Sequence, residues 1–276
     1  MAKIAVAGNV SVDRIDGKPP SPGGCPSFAA LAFRMLGREG QIVTRYAPAD
    51  SDLFRPVLST LGVPVTTLPA RSTNAFGFRY DGENRTMTVD AIGEPWSAAD
   101  AAALDPAVGS IHIAPLLRSD FPAEALNALA AGGRVVSYDG QGLVRVPAIG
   151  PLEVDAAFDP SLLQAISILK LAEDEAVVIA GGPFEERHAR GLGVPEILVT
   201  YGSEGCTLYI GGTGCDIPAA WPVLGVQSTG AGDAFMVAYL ASRSDGAAPV
   251  ESAGHASELV ARMLEQRRQT SNEPNW

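Results

Sequence analysis

The sequence predicts an α/β fold built on a mostly parallel sheet. The first observation is a series of short, continuous apolar runs: Ile4–Ala7, Ile111–Ala114, Val135–Tyr138, Ala165–Leu169 and Ile197–Thr200. They end at Gly8, Pro115, Asp139, Lys170 and Tyr201-Gly202. Strands buried on both faces of a parallel sheet read this way, because neither face meets water. The second observation is that helical patterns lie between these runs, as parallel strands require of their connections. Phe28, Leu31, Ala32, Met35 and Leu36 recur at helical spacing, with Gly37 placed to cap. Ala123–Ala131 is rich in Ala and Leu and stops at Gly132-Gly133. Ala234–Ser242 is apolar almost all round, which predicts a buried helix, and Glu251–Gln266 is amphipathic. The third observation is a break in the rhythm between Val65 and Ile92. There Phe76, Phe78 and Tyr80, then Met87 and Val89, alternate about a turn signal at Asp81-Gly82-Glu83-Asn84. That pattern predicts an antiparallel hairpin, either a flap over a site or a decoration at a sheet edge.

Length and composition set bounds on function. A chain of 276 residues with 46% hydrophobic content holds one sizeable core without needing a second domain. The net charge of −11 is spread along the chain, and Arg267-Arg268 is the nearest thing to a basic cluster. A nucleic-acid partner is not expected. Any phosphate must be held by local backbone geometry rather than by the overall field. Cys25, Cys206 and Cys215 show no metal-ligand spacing with one another or with the histidines, so buried or inert thiols are expected. No apolar run reaches membrane-spanning length, and the N-terminus enters a strand with no signal-peptide pattern. A cytoplasmic protein without membrane contact is the expectation.

The stretch Gln227-Ser228-Thr229-Gly230-Ala231-Gly232-Asp233-Ala234-Phe235 carries the most chemistry. Three small residues open a helix, so their N–H groups converge on one point where the helix dipole favours an anion. An aspartate beside an anion pocket repels phosphate. It makes sense as a base that takes a proton from a hydroxyl attacking that phosphate. A tight turn followed by a helix-starting charge is the other reading of these residues alone.

This segment resembles the second signature of the PfkB (ribokinase-like) family of carbohydrate and nucleoside kinases, Asp-Thr-x-Gly-Ala-Gly-Asp-x-Phe. Gln227 stands where that signature has Asp, and Ser228 where it has Thr. Other segments follow in family order across nearly the whole chain. Gly8-Asn9-Val10-Ser11-Val12-Asp13 is similar to the opening strand and loop, which implies that Asp13, with Asn9 nearby, holds substrate hydroxyls. Gly23-Gly24 before Cys25-Pro26-Ser27-Phe28 is similar to the Gly-Gly motif where backbone meets substrate, with Phe28 at a common Asn position. Thr200-Tyr201-Gly202-Ser203-Glu204-Gly205 is similar to a turn that contacts the nucleotide, which implies Thr200, Gly202, Gly205 and Thr229 as cofactor-binding residues. Ala172-Glu173-Asp174-Glu175 aligns with Asn-x-x-Glu, implying that Glu175 organises Mg²⁺ through water, although helix-start charges read the same. Asp139-Gly140-Gln141-Gly142-Leu143-Val144-Arg145 is similar to a segment of inositol-kinase-like members, which implies a phosphate contact for Arg145, against a structural salt bridge.

The resemblance implies a ribokinase-like three-layer α/β fold with a small β lid. It implies one domain over residues 1–276, with lid segments at about 11–22 and 65–92. It implies a kinase that uses ATP and Mg²⁺ to phosphorylate a small sugar or polyol, inositol-like or a monosaccharide. Asp233 is then the catalytic base, with Gly230, Ala231 and Gly232 as the anion hole. Nucleoside kinase is an alternative, with Phe76, Phe78 or Tyr80 stacking on a base. A non-catalytic sugar-binding or regulatory relative is the second. Lids in this family also mediate homodimers, so a dimer through the lid is an expectation.

Overall fold

The structure is a computed structural model that describes residues 3–81 and 84–271. The chain runs β1 (Lys3–Gly8), β2 (Val10–Ile15), β3 (Ser21–Gly24), α1 (Pro26–Leu36), β4 (Gly40–Tyr46), α2 (Ser51–Ser59), β5 (Val65–Pro69), β6 (Asn74–Asp81), β7 (Asn84–Ala91) and β8 (Val108–Ala114). It continues through α3 (Ala123–Ala130), β9 (Val135–Asp139), α4 (Gln141–Val144), β10 (Gly150–Pro151), β11 (Ile168–Ala172), α5 (Glu173–Ala180), α6 (Glu186–Leu192) and β12 (Glu196–Thr200). Last come β13 (Gly205–Ile210), β14 (Thr213–Pro218), α7 (Ala231–Ser244) and α8 (Pro249–Ser271).

Nine strands form the main sheet in the order β14-β13-β12-β11-β9-β8-β1-β4-β5. The strands from β12 to β5 pair in parallel, and β13 and β14 add an antiparallel edge. Period-two alternation divides the side chains between two helical layers. Ile4 and Val6 of β1 join a core with Phe33 of α1, Met236 and Tyr239 of α7 and Leu259 of α8. Ala5 and Ala7 join the opposite core with Leu126 and Leu129 of α3 and Ala176 of α5. The expected buried helix is α7: every residue from Ala234 to Ala241 is buried. Gly37 caps α1 in the left-handed region, as its position predicts.

A second sheet of five strands has the order β10-β7-β6-β2-β3. The expected hairpin is β6 and β7. Gly82 and Glu83 of its turn, and the side chain of Tyr80, lie outside the described residues. The stretch from Val65 to Ile92 does not all belong to it. Val65–Pro69 pairs in parallel with β4 at the edge of the main sheet, because Val65 and Leu68 pack into the two cores. The segment 11–22 falls within β2, β3 and their connection, and β2 pairs in parallel with β6. The run read as Ala165–Leu169 is displaced: the strand spans Ile168–Ala172, and Pro160–Ala165 forms a 3₁₀ turn that begins at a proline. None of the described helices is long and apolar enough to cross a membrane.

The C-terminal half of α7 is fastened to the sheet by a polar clamp. The Tyr239 hydroxyl donates to Glu196 Oε2 at 2.6 Å, and Arg243 Nη2 donates to Glu196 Oε1 at 2.7 Å. Glu196 opens β12 and is nearly buried. Replacing it with Ala leaves a buried hydroxyl and a part-buried guanidinium without their acceptor. The expected cost is about 2 kcal/mol, below that of a fully buried pair because Arg243 keeps some solvent. Urea unfolding of Glu196→Ala should show a lower midpoint at an unchanged m-value.

Candidate active site

The parallel strands β8, β9 and β11 all end beneath the N-terminus of α7. Alternation fixes which of their side chains face it. Ile111 and Ile113 turn toward α3, so His112 turns the other way. Tyr138 does the same, leaving Ser137 and Asp139 on the α7 side, and Leu169 and Leu171 leave Lys170 there. His112, Asp139 and Lys170 are therefore buried polar groups set into an otherwise apolar face. The crevice at the carboxyl ends of parallel strands is where ligands enter such sheets.

Gly230 precedes α7 in the left-handed conformation, φ +79°. A Cβ there would also overlap the Phe28 ring at 2.1 Å. The Arg267 guanidinium covers that ring, 5.6 Å from its centroid, and donates to the carbonyls of Gln227 at 3.2 Å and Thr229 at 2.7 Å. Phe28 and Arg267 thus brace the loop from α1 and α8. The departures at Gln227 and Phe28 fall in one assembly, and Phe28 packs as a structural support.

Asp233 lies in the first turn of α7, part-buried. Burial, and then the Asp139 carboxylate, push its carboxyl up to about 6, while Cys25, Lys170 and Arg145 oppose the rise. Lys170 Nζ is 3.4 Å from Asp139 Oδ2 and 3.9 Å from Glu175 Oε2. A Cβ on Gly232 would sit 3.4 Å from that nitrogen, so the ammonium lies directly under the helix start. Burial works against the charge on Lys170, but Asp139 and Glu175 outweigh it and hold its pKa above the ordinary lysine value. Arg145 acts electrostatically on both Glu175 and Asp233. Among the described residues its side chain makes no hydrogen bond or ion pair, so the salt-bridge reading of Arg145 does not hold.

Asp13 and the Gly23-Gly24 pair come together, though in an unexpected way. A Cβ on Gly23 would lie 2.3 Å from Asp13 Oδ2, so the close approach that glycine permits here is to Asp13 itself. Ser11 Oγ donates to Asp13 Oδ1 at 2.7 Å. Two residues further on, the Cys25 sulfur lies within 4.8 Å of an Asp233 carboxylate oxygen. Two residues span at most about 7 Å, so Asp13 and Asp233 flank one short segment. Asn9 is only 2% exposed, and its Oδ1 accepts from the Trp96 indole at 2.7 Å. It is part of the packing between the sheets rather than of an open surface.

Thr200, Gly202 and Gly205 line a cavity of about 350 Å³ that reaches Ala231 and Gly232. Its other walls are mostly apolar, with Ile217, Trp221, Leu224, Val226, Phe235 and Leu264 among them. Thr229 does not line it; its carbonyl is turned to Arg267. A larger cavity of about 670 Å³ lies between α1, α7 and α8 around Ala241 and Ser242. That is about 12 Å along the helix from Asp233, away from the chemistry.

Glu175 Oε2 accepts the Ala172 N–H at 2.8 Å and faces Lys170. That oxygen is already satisfied, so the donor set suits an ion that keeps its waters rather than one bound directly by carboxylates. Phe76 is buried with Val89 and Leu117, which closes it off as a stacking platform for a base. Lys170, Asp139, His112 and Cys25 are the site residues that motif matching did not select. A lysine or histidine inside a run assigned to a doubly buried strand was the available signal.

The comparisons with known proteins agree with this geometry. Residues 108–276 match the model of the pfkB family of carbohydrate kinases. A fructokinase from Klebsiella pneumoniae is 29% identical over 94% of this chain and 90% of its own. Fructokinase-2 from Solanum lycopersicum is 24% identical over 93% and 83%. Among solved structures, a pyrophosphate-dependent kinase of the ribokinase family, complexed with a pyrophosphate analogue and myo-inositol, superposes with a TM-score of 0.80 at 24% identity, covering 95% of both chains. Arabidopsis thaliana ribokinase complexed with ribose and ATP gives 0.71 at 20% identity, covering 96% of this chain and 93% of its own. The chain therefore belongs to the pfkB family of carbohydrate kinases and is a phosphotransferase whose acceptor is a hydroxyl of a sugar or polyol.

Proposed function

We propose that this kinase takes the γ-phosphate of ATP and delivers it to a hydroxyl of a monosaccharide or inositol-like polyol, with Asp233 as the base. One observation carries the choice of donor. The apolar cavity that opens on Gly232 has room and walls for a purine ring, with Trp221 and Leu224 partly exposed at its rim. A bare pyrophosphate has no use for such walls. The two structural neighbours are complexed with a pyrophosphate analogue and with ATP, which makes this the question to decide.

In the proposed reaction the acceptor oxygen attacks the γ-phosphorus as the bond to the β-phosphate oxygen breaks. The hydroxyl proton passes to Asp233, and ADP leaves. The N–H groups of Gly230, Ala231 and Gly232 meet the charge on the transferred group. Arg145 and Lys170 add fixed positive charge on the same side. Glu175 would hold a water of a Mg²⁺ shell, and the ion would supply charge neutralisation to the donor phosphates. Asp13, oriented by Ser11, holds acceptor hydroxyls near Gly23 and Gly24. The second sheet is the lid of a single kinase domain and excludes water when it closes. A homodimer through its outer face belongs to the same reading, as does a cytoplasmic setting, which suits ATP and three free thiols.

The test is turnover on a panel of sugars, polyols and nucleosides with ATP or pyrophosphate as donor. ATP should support turnover with a sugar or polyol. Trp221→Ala with Leu224→Ala should raise KM for ATP while kcat changes little. Pyrophosphate acting alone as donor would refute the donor assignment. Absence of both turnover and nucleotide binding would favour a non-catalytic relative. Asp233→Asn should lower kcat by roughly 10²- to 10⁴-fold, as loss of a general base does.

A pH profile tests the base separately. Asp233 works when ionised, and its carboxyl is held up to about 6. The rate kcat/KM should therefore climb through about pH 6 and fall away on the acidic side. Asp139→Asn removes a neighbouring negative charge, so the acidic limb should move to lower pH. Lys170→Met removes a cation, so the limb should move to higher pH. Two shifts in the same direction would contradict the electrostatic assignment.

A further inference from the structure

We propose that Cys25, His112 and Asp233 form a binding site for a thiophilic divalent cation such as Zn²⁺, and that filling it blocks the kinase. One donor atom from each of the three residues lies within 4.8 Å of the others. Sulfur, imidazole nitrogen and carboxylate oxygen are a zinc-type donor set, distinct from the all-oxygen set that Mg²⁺ prefers. A tetrahedral zinc ion holds its donors roughly 3.5 Å apart, so the cluster must close by about an ångström at its widest. The fourth position is left to water.

The independent observation is His112. Its ring is fully buried, and Nε2 has no hydrogen-bond partner. Nδ1 is taken by Ser137 Oγ at 2.7 Å. Metal-binding histidines are oriented in this way, with one ring nitrogen held by a neighbour and the other left to ligate. An unpartnered buried nitrogen is costly, and a metal ion would relieve that cost. Burial also pushes the imidazole down to about 4, so it is neutral and its lone pair is available at physiological pH.

Binding is an exchange that balances. The Cys25 thiol now lies beside the Asp233 carboxylate, the two donor atoms within 4.8 Å. When the ion enters, the S–H proton leaves to solvent, a metal–sulfur bond forms, and one carboxylate oxygen of Asp233 turns to the metal. Thiolate and carboxylate together neutralise the ion. Asp233 is then no longer free to accept a proton from an acceptor hydroxyl, which links occupancy to loss of activity. The binding event itself does not depend on which donor or acceptor the kinase uses.

The experiment titrates the purified, metal-free chain with Co²⁺ as the spectroscopic probe, followed by Zn²⁺. One Co²⁺ per chain should bind with a thiolate-to-metal charge-transfer band that Zn²⁺ bleaches. Cys25→Ser should abolish the band, and His112→Gln should weaken binding by about tenfold or more. X-ray absorption at the zinc edge of the unmutated protein should show one sulfur and one imidazole in the first shell, whatever the variants do to folding. With Mg-ATP saturating, Zn²⁺ should inhibit the wild type, and Cys25→Ser should need at least tenfold more Zn²⁺ for the same fractional loss. No band in the wild type, a band that persists in Cys25→Ser, or a first shell of oxygen alone would each overturn the site.

Discussion

The ammonium of Lys170 rises from β11 between Leu169 and Leu171, and it stops beneath the first turn of α7. An ion in that position has lost most of its water, at a cost of several kcal/mol, and must recover it from groups that are themselves buried. The surroundings follow from this need. Asp139 and Glu175 face it from the ends of β9 and the start of α5. Gly232 stands directly above it, with the nitrogen at van der Waals distance from where a Cβ would lie. Arg145 brings a second cation within electrostatic reach of Glu175 and Asp233. Two cations then confront three acids, and the acid least well served is Asp233. Its raised proton affinity is a consequence of that count together with its own burial.

Much of the scaffold was legible in the residues. The runs at β1, β8, β9 and β12 and the all-round apolar character of α7 gave the layers directly, because burial on both faces of a sheet leaves no polar side to disguise the pattern. The loop before α7 was legible because Gly230, left-handed and pressed against Phe28, has a steric reason to be glycine. What could not be read was three-dimensional adjacency. His112 lies 87 residues from Cys25 and 121 from Asp233 in the sequence, and only the order β9-β8-β1 with α7 lying across it brings them together. The edge strand β5 was misassigned for a related reason. The alternation belongs to Phe76, Phe78, Met87 and Val89 further along, while Val65 and Leu68 face opposite cores and carry no alternation of their own. The displaced boundary at β11 reflects the 3₁₀ turn at Pro160–Ala165, whose apolar residues pack against α3 and imitate a strand.

The loop before α7 illustrates how a departure from a family pattern can be absorbed elsewhere. Gln227 contributes only its backbone carbonyl to what holds the loop, and Arg267 takes that carbonyl together with that of Thr229. The guanidinium reaches them by lying over Phe28, whose ring in turn fills the space that a side chain at Gly230 would need. A cation over an aromatic face is worth about 0.5–2 kcal/mol, depending on how well it is desolvated. The position where relatives often carry Asn is therefore spent on loop rigidity. On the proposed reading, the polar contacts to an acceptor come from Asp13 and its neighbours.

The two ends of α7 then set a division of labour. Its C-terminal half is pinned through Tyr239 and Arg243 to Glu196, and its middle is sealed between β1, α1 and α8. Asp233 rides on that pinned helix, and on the proposed reading the acceptor is brought to it. The other half of the proposed site is carried differently. Asp13 sits on β2, in the second sheet, and the single residue Asn9 separates β2 from β1 of the main sheet. Asn9 is anchored to Trp96, and Asn74 at the start of β6 is anchored to the buried Asp120 at 3.2 Å. Both tethers are local, and the strands beyond them pair with one another rather than with the main sheet. On the proposed reading, motion is confined to the sheet that holds the acceptor, while the phosphate cradle and the base stay rigid. That arrangement suits a transfer whose rate depends on alignment along one line more than on covalent participation by the protein.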